Sequence, residues 1–293
     1  MDFRKLRHLV AVAQARSFTR AATALHISQP ALSRSISDFE KQLGEPLFDR
    51  TSEGVIPTAF GAPVIAQAER ILAEVDHFTR ELEARTGGET GTLAFGAGPL
   101  VAALTFREIL AHFADHHPKL AIETQIAPGG ILSEGLRQGR IEFAVFSEAL
   151  LGDDRGLDVE RIGTLQLGYV VRSDHPLAGR TNVSRADLSA YAVVSGGTLG
   201  MERGPSTNTE NLARPGINCE DFGILREMVL TSNAVWLTSI SMADEADGLV
   251  LLEGEATPRR QTTLVLARPT GRSLSPPARE AASIMRRAFA RPD

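Results

Sequence analysis

Ser28-Gln29-Pro30-Ala31-Leu32-Ser33-Arg34-Ser35-Ile36-Ser37-Asp38-Phe39-Glu40-Lys41-Gln42-Leu43 reads as one helix with both ends marked. Ser28 is a good N-cap, Pro30 falls in the first turn where a missing N–H costs nothing, and Gly44 supplies a stop. Leu32, Ile36, Phe39 and Leu43 recur at i, i+4, i+7 and i+11, so one stripe faces a core. The opposite side carries Gln29, Ser33, Ser37, Arg34 and Lys41, where a short helix normally shows Glu and Lys to water. An amide, hydroxyls and a guanidinium near a helix N-terminus suit base edges and phosphates.

Outward from this helix, Thr19-Arg20-Ala21-Ala22-Thr23-Ala24-Leu25 is a second short helix, and only His26-Ile27 separates the two. So tight a junction makes a helix-turn-helix whose second member reads the major groove. The alternative is an ordinary helical hairpin with a solvated face. Phe3, Leu6, Leu9, Val10 and Ala13 repeat at three and four residues and make a first helix that completes a three-helix core. After Gly44, Pro46–Arg50 and Gly54–Pro57 are short extended pieces around a turn, readable as a β-wing.

The run Phe3 to Gly61 closely resembles the DNA-binding domain of LysR-type transcriptional regulators. The resemblance rests on Ser17-Phe18-Thr19-Arg20-Ala21-Ala22, Ile27-Ser28-Gln29-Pro30-Ala31-Leu32-Ser33 and Leu47-Phe48-Asp49-Arg50-Thr51. Beyond about residue 90 it extends as architecture. It implies an α/β fold class: an N-terminal winged helix-turn-helix (1–58), a long linker helix for dimerisation with its hinge (59–90), and a two-lobed α/β effector-binding domain resembling periplasmic solute-binding proteins (91–293). Lobe I is expected over 91–165 and 268–293, and lobe II over 166–267. The residues expected on DNA are Thr19, Ser28, Gln29, Pro30, Ser33, Arg34, Ser37, Arg50 and Thr58, with Gln29, Ser33 and Arg34 facing the groove and Thr19 and Ser28 on phosphates. In the family the wing meets DNA through basic residues; Arg50 fits, while Glu53 and Ile56 stand where Arg is common.

Charge agrees with a local DNA contact. Residues 1–60 carry eight Lys and Arg against six Asp and Glu, a balance of +2, whereas the remainder stands at −7. An acidic remainder repels DNA and suits sensing or assembly. No apolar run approaches the roughly 18 residues of a membrane span, and the N-terminus leads into an amphipathic helix, so a cytoplasmic protein without membrane contact is expected. Cys219 is the single cysteine; it excludes an intramolecular disulfide and any cysteine-based zinc finger.

Thr58 caps a helix running to about Arg85, on which Val64, Ala68, Ile71, Val75, Phe78 and Leu82 step by 4, 3, 4, 3, 4 as a heptad seam. The resemblance gives that seam to a second copy of the chain, in a homodimer or homotetramer; the alternative is packing within the same chain. From Thr92 onward the texture alternates: strand Thr92–Gly96, helix Val101–Ala114, strand Leu120–Ile126, helix Ile131–Gln138 and strand Ile141–Phe146, hence a largely parallel sheet. A second unit follows Gly168–Arg172. Strands crossing between lobes are expected near Gly163–Gly168 and Val265–Arg268.

In open α/β sheets ligands sit beyond the carboxyl ends of strands. The loops there contain Gly98, Pro99, Leu100 and Val101; Ala127 and Pro128; Phe146 and Ser147; Ser195, Gly197 and Thr198; and Thr238, with Arg203 as a further candidate. Family members often place Ser or Thr at the first two loops to hold an anion. Gly, Pro, Leu and Ala stand there here, pointing to a more apolar or larger effector oriented by Ser147, Thr198 and Arg203. The bland alternative is glycine-rich turns.

Other chemistry is thin. Gly96-Ala97-Gly98 lacks the third glycine of a dinucleotide fingerprint, no Gly-x-Ser-x-Gly elbow exists, and no P-loop lysine appears. His112 and His116 form an i, i+4 pair beside His117, but with no Glu or Cys nearby in sequence the reading is a solvated helix end, not a metal site. No catalytic set emerges, so no enzyme and no cofactor are expected. The expected function is sequence-specific regulation of transcription on promoter DNA, controlled by a small-molecule effector, with RNA polymerase as a further partner. The alternatives are a ligand-independent DNA-binding regulator with a degenerate cleft and an enzyme carrying a helix-turn-helix.

Overall fold

The structure is a computed structural model that describes residues 2–51, 54–85, 91–196, 216–244, 246–254 and 261–290. The chain forms two compact units, one over Met1–Thr86 and one holding Gly87–Leu136 and Ile141–Asp293.

In the first unit, α1 (Phe3–Ala15), α2 (Phe18–Ala24) and α3 (Gln29–Leu43) precede the hairpin β1 (Phe48–Thr51) and β2 (Gly54–Pro57), then α4 (Gly61–Arg85). Each of the first three helices starts on a side-chain cap: Asp2 accepts from the Arg4 N–H, Ser17 from Arg20 and Ser28 from Ala31. The α2–α3 turn closes with Ile27 N–H donating to the Ala22 carbonyl and His26 N–H to that of Thr23, while His26 adopts a left-handed φ of 54°. This is a Schellman ending with His26 where glycine is usual, and Ile27 anchors it by packing on the core. Gly44 ends α3 at φ 81°.

Leu32, Ile36 and Phe39 are buried with Leu6, Leu9, Val12, Ala21 and Ala22. Two expected core positions are not: Leu43 lies in the last turn of α3, past the core, and Phe3 at the start of α1 is 52% exposed, leaving Val12 to complete the α1 face. The wing is fastened at both ends. Glu40 Oε1 accepts from the N–H groups of Leu47 and Phe48, and Val55 N–H donates to the Arg16 carbonyl. Ile65 and Ala68 of α4 are buried in the same core, so the first unit extends well past residue 58. At the start of α4 a Cβ on Gly61 would lie 2.0 Å from the Leu47 carbonyl oxygen, which makes glycine necessary for that close approach.

The second unit opens with β3 (Gly91–Ala97), α5 (Pro99–His116), β4 (Leu120–Ile126), α6 (Gly129–Arg137) and β5 (Phe143–Ser147). β3 lies parallel between β4 and β5. β6 (Leu157–Arg172) is one strand of 16 residues, longer than the Gly168–Arg172 expected. α7 (Arg185–Leu188), β7 (Val193–Ser195), β8 (Ile217–Asn218), α8 (Phe222–Thr231), β9 (Val235–Ser239) and β10 (Leu249–Leu251) build lobe II, and β11 (Gln261–Pro269) and α9 (Pro276–Phe289) return. The strand order β4-β3-β5-β11-β6-β9-β7-β8 makes one continuous sheet, with β10 also on β6.

β6 carries the chain between lobes: its first part pairs with β11 up to Gln166, and from Leu167 it pairs with β9. β11 already belongs to lobe I, because Leu264–Ala267 pair with β5. Of the stretch Val265–Arg268 expected near the return crossing, Val265–Ala267 lie in the sheet of lobe I, paired with β5 on one side and with Arg161, Glu160 and Val159 of β6 on the other. β6 and β11 run antiparallel, so the sheet is mixed, with parallel triplets β4-β3-β5 and β9-β7-β8 flanking the crossing strands. Hydrophobic residues pack on both faces of lobe I, under α5 and α9 on one side and α6 on the other.

Candidate functional site

On α3 the caps bring Gln29, Pro30 and Arg34 into the open, and Thr19 and Ser28 are exposed beside them; Ser33 and Ser37 are half-buried. Gln29 Nε2 donates to Ser33 Oγ at 2.8 Å, one turn apart. The amide is thereby held in one orientation with its carbonyl available to a donor. Arg34 has no hydrogen bond or ion pair among the described residues. Such a guanidinium, on the first turns of a helix whose N–H groups point the same way, is a ready ligand for phosphate or a guanine edge.

The backbone candidates divide. Thr58 is structural: its hydroxyl donates to the Pro46 carbonyl at 2.8 Å and accepts from the Gly61 N–H at 2.8 Å, so its proton is not available to a phosphate. Arg50 sits in β1 opposite Val55; its side chain and Glu53 lie outside the described residues. Ile56 is 44% exposed on the wing.

The linker seam divides as well. Ala68 is buried within its own unit, and Val64 and Ile71 pack partly on the same core. The first half of the heptad stripe is thus covered by the chain itself, because a helix that caps a three-helix core must use its first turns for that contact. Val75 is half-buried, and Phe78 is 61% exposed. The Leu82 side chain lies outside the described residues.

In the second unit the strand-end loops contain both ordinary core residues and polar ones. Leu100, Val101 and Phe146 are buried in hydrophobic clusters, and Ala127 is also buried. Gly98 starts α5 with no side-chain cap and donates its N–H to the Val145 carbonyl; Pro99 takes the first turn. Pro128 is half-buried at the start of α6. Ser147 Oγ lies 2.8 Å from Thr262 Oγ1, an association across 115 residues that sequence reasoning missed. Thr262 has no local signal, since only the pairing of β11 beside β5 brings it there.

In lobe II, Ser195 is buried at the end of β7, and Thr238, in register with Gly168, is fully buried at the end of β9. The Thr238 hydroxyl has no hydrogen-bond partner among the described residues, nor has the Trp236 indole N–H two residues earlier on the same face of β9. Gly197, Thr198 and Arg203 lie outside the described residues. A cavity of about 500 Å³ lies elsewhere, on lobe I, between Asp158 and Glu160 of β6, Arg268 of β11, and Arg279 and Arg286 of α9. Its charges are mostly spent: Arg286 holds Glu160 with two hydrogen bonds, of 3.0 and 2.7 Å, and Arg268 pairs with Asp158. The bidentate Arg286 contact holds the Glu160 carboxyl below the usual range.

Among the described residues no helix is long and apolar enough to cross a membrane.

Comparison with known proteins covers both units. The family profile described as bacterial regulatory helix-turn-helix protein, LysR family, matches residues 3–62, and that described as LysR substrate binding domain matches residues 86–290. The SDS degradation transcriptional activation protein of Pseudomonas sp. (strain ATCC 19151) is 33% identical over 286 residues, 94% of this chain and 93% of that protein. The fold is similar to that of a full-length OxyR variant from Pseudomonas aeruginosa, with a TM-score of 0.65 at 20% identity, covering 99% of this chain and 94% of that one. It is also similar to full-length CbnR solved with its target DNA, with a TM-score of 0.62 at 20% identity over 98% of this chain and 100% of that one. With both domains matched in order and a relative aligned along nearly its whole length, the chain belongs to the LysR family of DNA-binding transcriptional regulators, proteins that carry a substrate-binding domain for an effector and are not enzymes.

Proposed function

We propose that α3 reads promoter DNA in the major groove, with Arg34 on a guanine, Gln29 and Ser33 on neighbouring base edges, and Thr19 and Ser28 on phosphates. The observation that carries this reading is the exposed, unpaired Arg34 beside a Gln29 already oriented by Ser33. Two copies joined through the outer part of α4, where Val75 and Phe78 remain uncovered by the first unit's core, address half-sites a whole number of helical turns apart. The regulator acts in the cytoplasm, on DNA that RNA polymerase also occupies.

Selection of binding sites from a random duplex pool tests the base reading. The wild-type chain should recover an imperfect palindrome, and Arg34→Ala should lose information at one position per half-site. Equal loss of affinity on every sequence would make Arg34 a phosphate contact only. Phe78→Asp, followed by sedimentation velocity, tests the seam: a smaller species is expected, and an unchanged sedimentation coefficient would remove Phe78 from the interface.

The effector is a small molecule bound where the strand ends of the two lobes meet. Support comes from the unpartnered buried hydroxyl of Thr238 and from the Ser147–Thr262 pair on the facing lobe. With Gly98, Pro99 and Ala127 at the first loops, the site suits an apolar molecule better than a small carboxylate. The Pseudomonas relative is named for activating degradation of SDS, an amphiphile. A thermal-shift series from acetate to octanoate should give stabilisation that rises with chain length and falls in Thr238→Val. Equal shifts across the series would overturn the apolar reading.

A further inference from the structure

The end of α5 and the second turn of α9 bring Glu280 beside two histidines that precede it by more than 160 residues. His112 Nε2 lies 2.6 Å from one carboxylate oxygen of Glu280, and His117 Nε2 lies 3.1 Å from the other. All three ligand atoms fall within 4.8 Å of one another, and each residue is half-buried. His117 stands just past the helix end, where its N–H donates to the Phe113 carbonyl and its own carbonyl accepts from the Leu120 N–H, so the ring hangs from a fixed backbone. Glu280 projects from the interior of a helix of 14 residues. Neither support has to fold around a ligand.

From this geometry we infer that His112, His117 and Glu280 form a divalent transition-metal site, of the class that takes Zn²⁺. Two imidazoles and one carboxylate are a borderline donor set that favours Zn²⁺ and its neighbours over Mg²⁺ or Ca²⁺. Bond lengths of about 2.0–2.2 Å from each donor to Zn²⁺ require the donors to stand slightly farther apart than a hydrogen bond. Small side-chain rotations of half-exposed groups provide that, and the ion then replaces the hydrogen-bonding protons between ring and carboxylate. The carbonyl-rich C-terminus of α5 adds a favourable potential for a cation. Three protein ligands leave a position open to water or to a ligand atom from outside, and the ion ties α5 to α9 within lobe I.

His116 makes the assignment discriminating. It forms with His112 the i, i+4 pair visible in the sequence, its ring stacks on that of His112 at 4.4 Å, and its Nδ1 is directed at the His112 carbonyl. A site built on the helix alone would use His112 and His116; the tertiary site uses His117 and Glu280.

The test is calorimetric titration of Zn²⁺ into the full chain, freed of any polyhistidine tag, with Mg²⁺ as control. One saturable site per chain is expected for Zn²⁺ and none for Mg²⁺. Glu280→Gln and His117→Ala should each weaken binding by more than about tenfold, while His116→Ala should leave it within about threefold. Circular dichroism of each variant without metal confirms that it is folded, and Co²⁺ loading gives a second readout, a visible absorption band that is lost in Glu280→Gln. Absence of a saturable wild-type site, or His116→Ala costing as much as Glu280→Gln, overturns the proposal.

Discussion

The proposed reading side of α3 and the proposed strand-end site of the second unit carry chemistry in opposite ways. On α3 the groups lie within nine residues of one another, on a scaffold whose geometry is local: 3.6-residue periodicity puts Leu32, Ile36 and Phe39 on the buried stripe, Arg34 opposite it and Ser33 on its flank, while Gln29 is exposed in the first turn. In the second unit Ser147, Thr238 and Thr262 come from β5, β9 and β11, and no local rule links them. A site on one helix tolerates changes elsewhere, whereas a site assembled from three strands depends on the whole sheet. The two should therefore respond differently to substitution.

The largest effect sharpens the contrast within α3 itself. Leu32→Ala opens a cavity in the three-helix core and should destabilise the first unit by about 2–5 kcal/mol in urea unfolding, with unaltered sequence preference in whatever protein remains folded. Its neighbour two positions on behaves oppositely. Arg34→Ala should leave unfolding within about 0.5 kcal/mol of wild type, yet cost about 1–3 kcal/mol of specific DNA binding. Exchange of these two phenotypes would break the division of α3 into a core face and a reading face.

In the assembled site, removal of a polar group should not destabilise. An unsatisfied buried hydroxyl costs about 1–3 kcal/mol, so Thr238→Val, which keeps the shape, should melt at or above the wild-type temperature while blunting any ligand response. Fluorescence of Trp236, the chain's single tryptophan, reports the transition from two residues away on the same face of β9. A drop in melting temperature would mean that the hydroxyl is satisfied and structural. The Ser147–Thr262 contact is the converse, a made hydrogen bond across the sheet. A double-mutant cycle with Ser147→Ala and Thr262→Val should return a coupling of about 0.5–1.5 kcal/mol; no coupling would detach β11 from the site.

The smallest effect separates the assembled unit by pH. His175 Nδ1 accepts from the Leu177 N–H at 3.0 Å, and its Nε2 lies 3.2 Å from the Asn233 carbonyl, a geometry that only the neutral ring satisfies. Burial pushes its pKa below the ordinary histidine value. A histidine depressed in the folded state stabilises above its unfolded pKa, and that contribution is lost as pH falls through the folded value. The Trp236-reported transition should move to lower temperature as pH drops from 7 towards 5, and His175→Gln, which cannot take up the proton, should flatten the slope. An unchanged slope would assign the pH dependence to other groups.

What could be read from the chain followed the range of the forces involved. The caps of α3, its apolar stripe and the wing turn are decided by neighbours within four residues, and the structure places Ser28, Pro30 and Gly44 in those roles. The fate of the α4 stripe was not legible, because a heptad pattern states that a face needs covering and not what covers it; the core of the first unit, with α1 against α4, had already claimed Ala68. The crossing strands show the same limit. An apolar run marks β11 as a strand, but the lobe it joins is set by hydrogen bonding to β5, more than a hundred residues earlier. His112 and His117 were visible as a cluster lacking a carboxylate, and Glu280 arrives only when α9 packs beside α5. By itself the sequence determined the helices of the first unit, their caps and the composition of the exposed face of α3 proposed to read DNA, since those depend on contacts a few residues long. Only the tertiary structure decided which side chains meet across strands and helices, because such contacts require the loop-closure entropy of the whole fold to be met first.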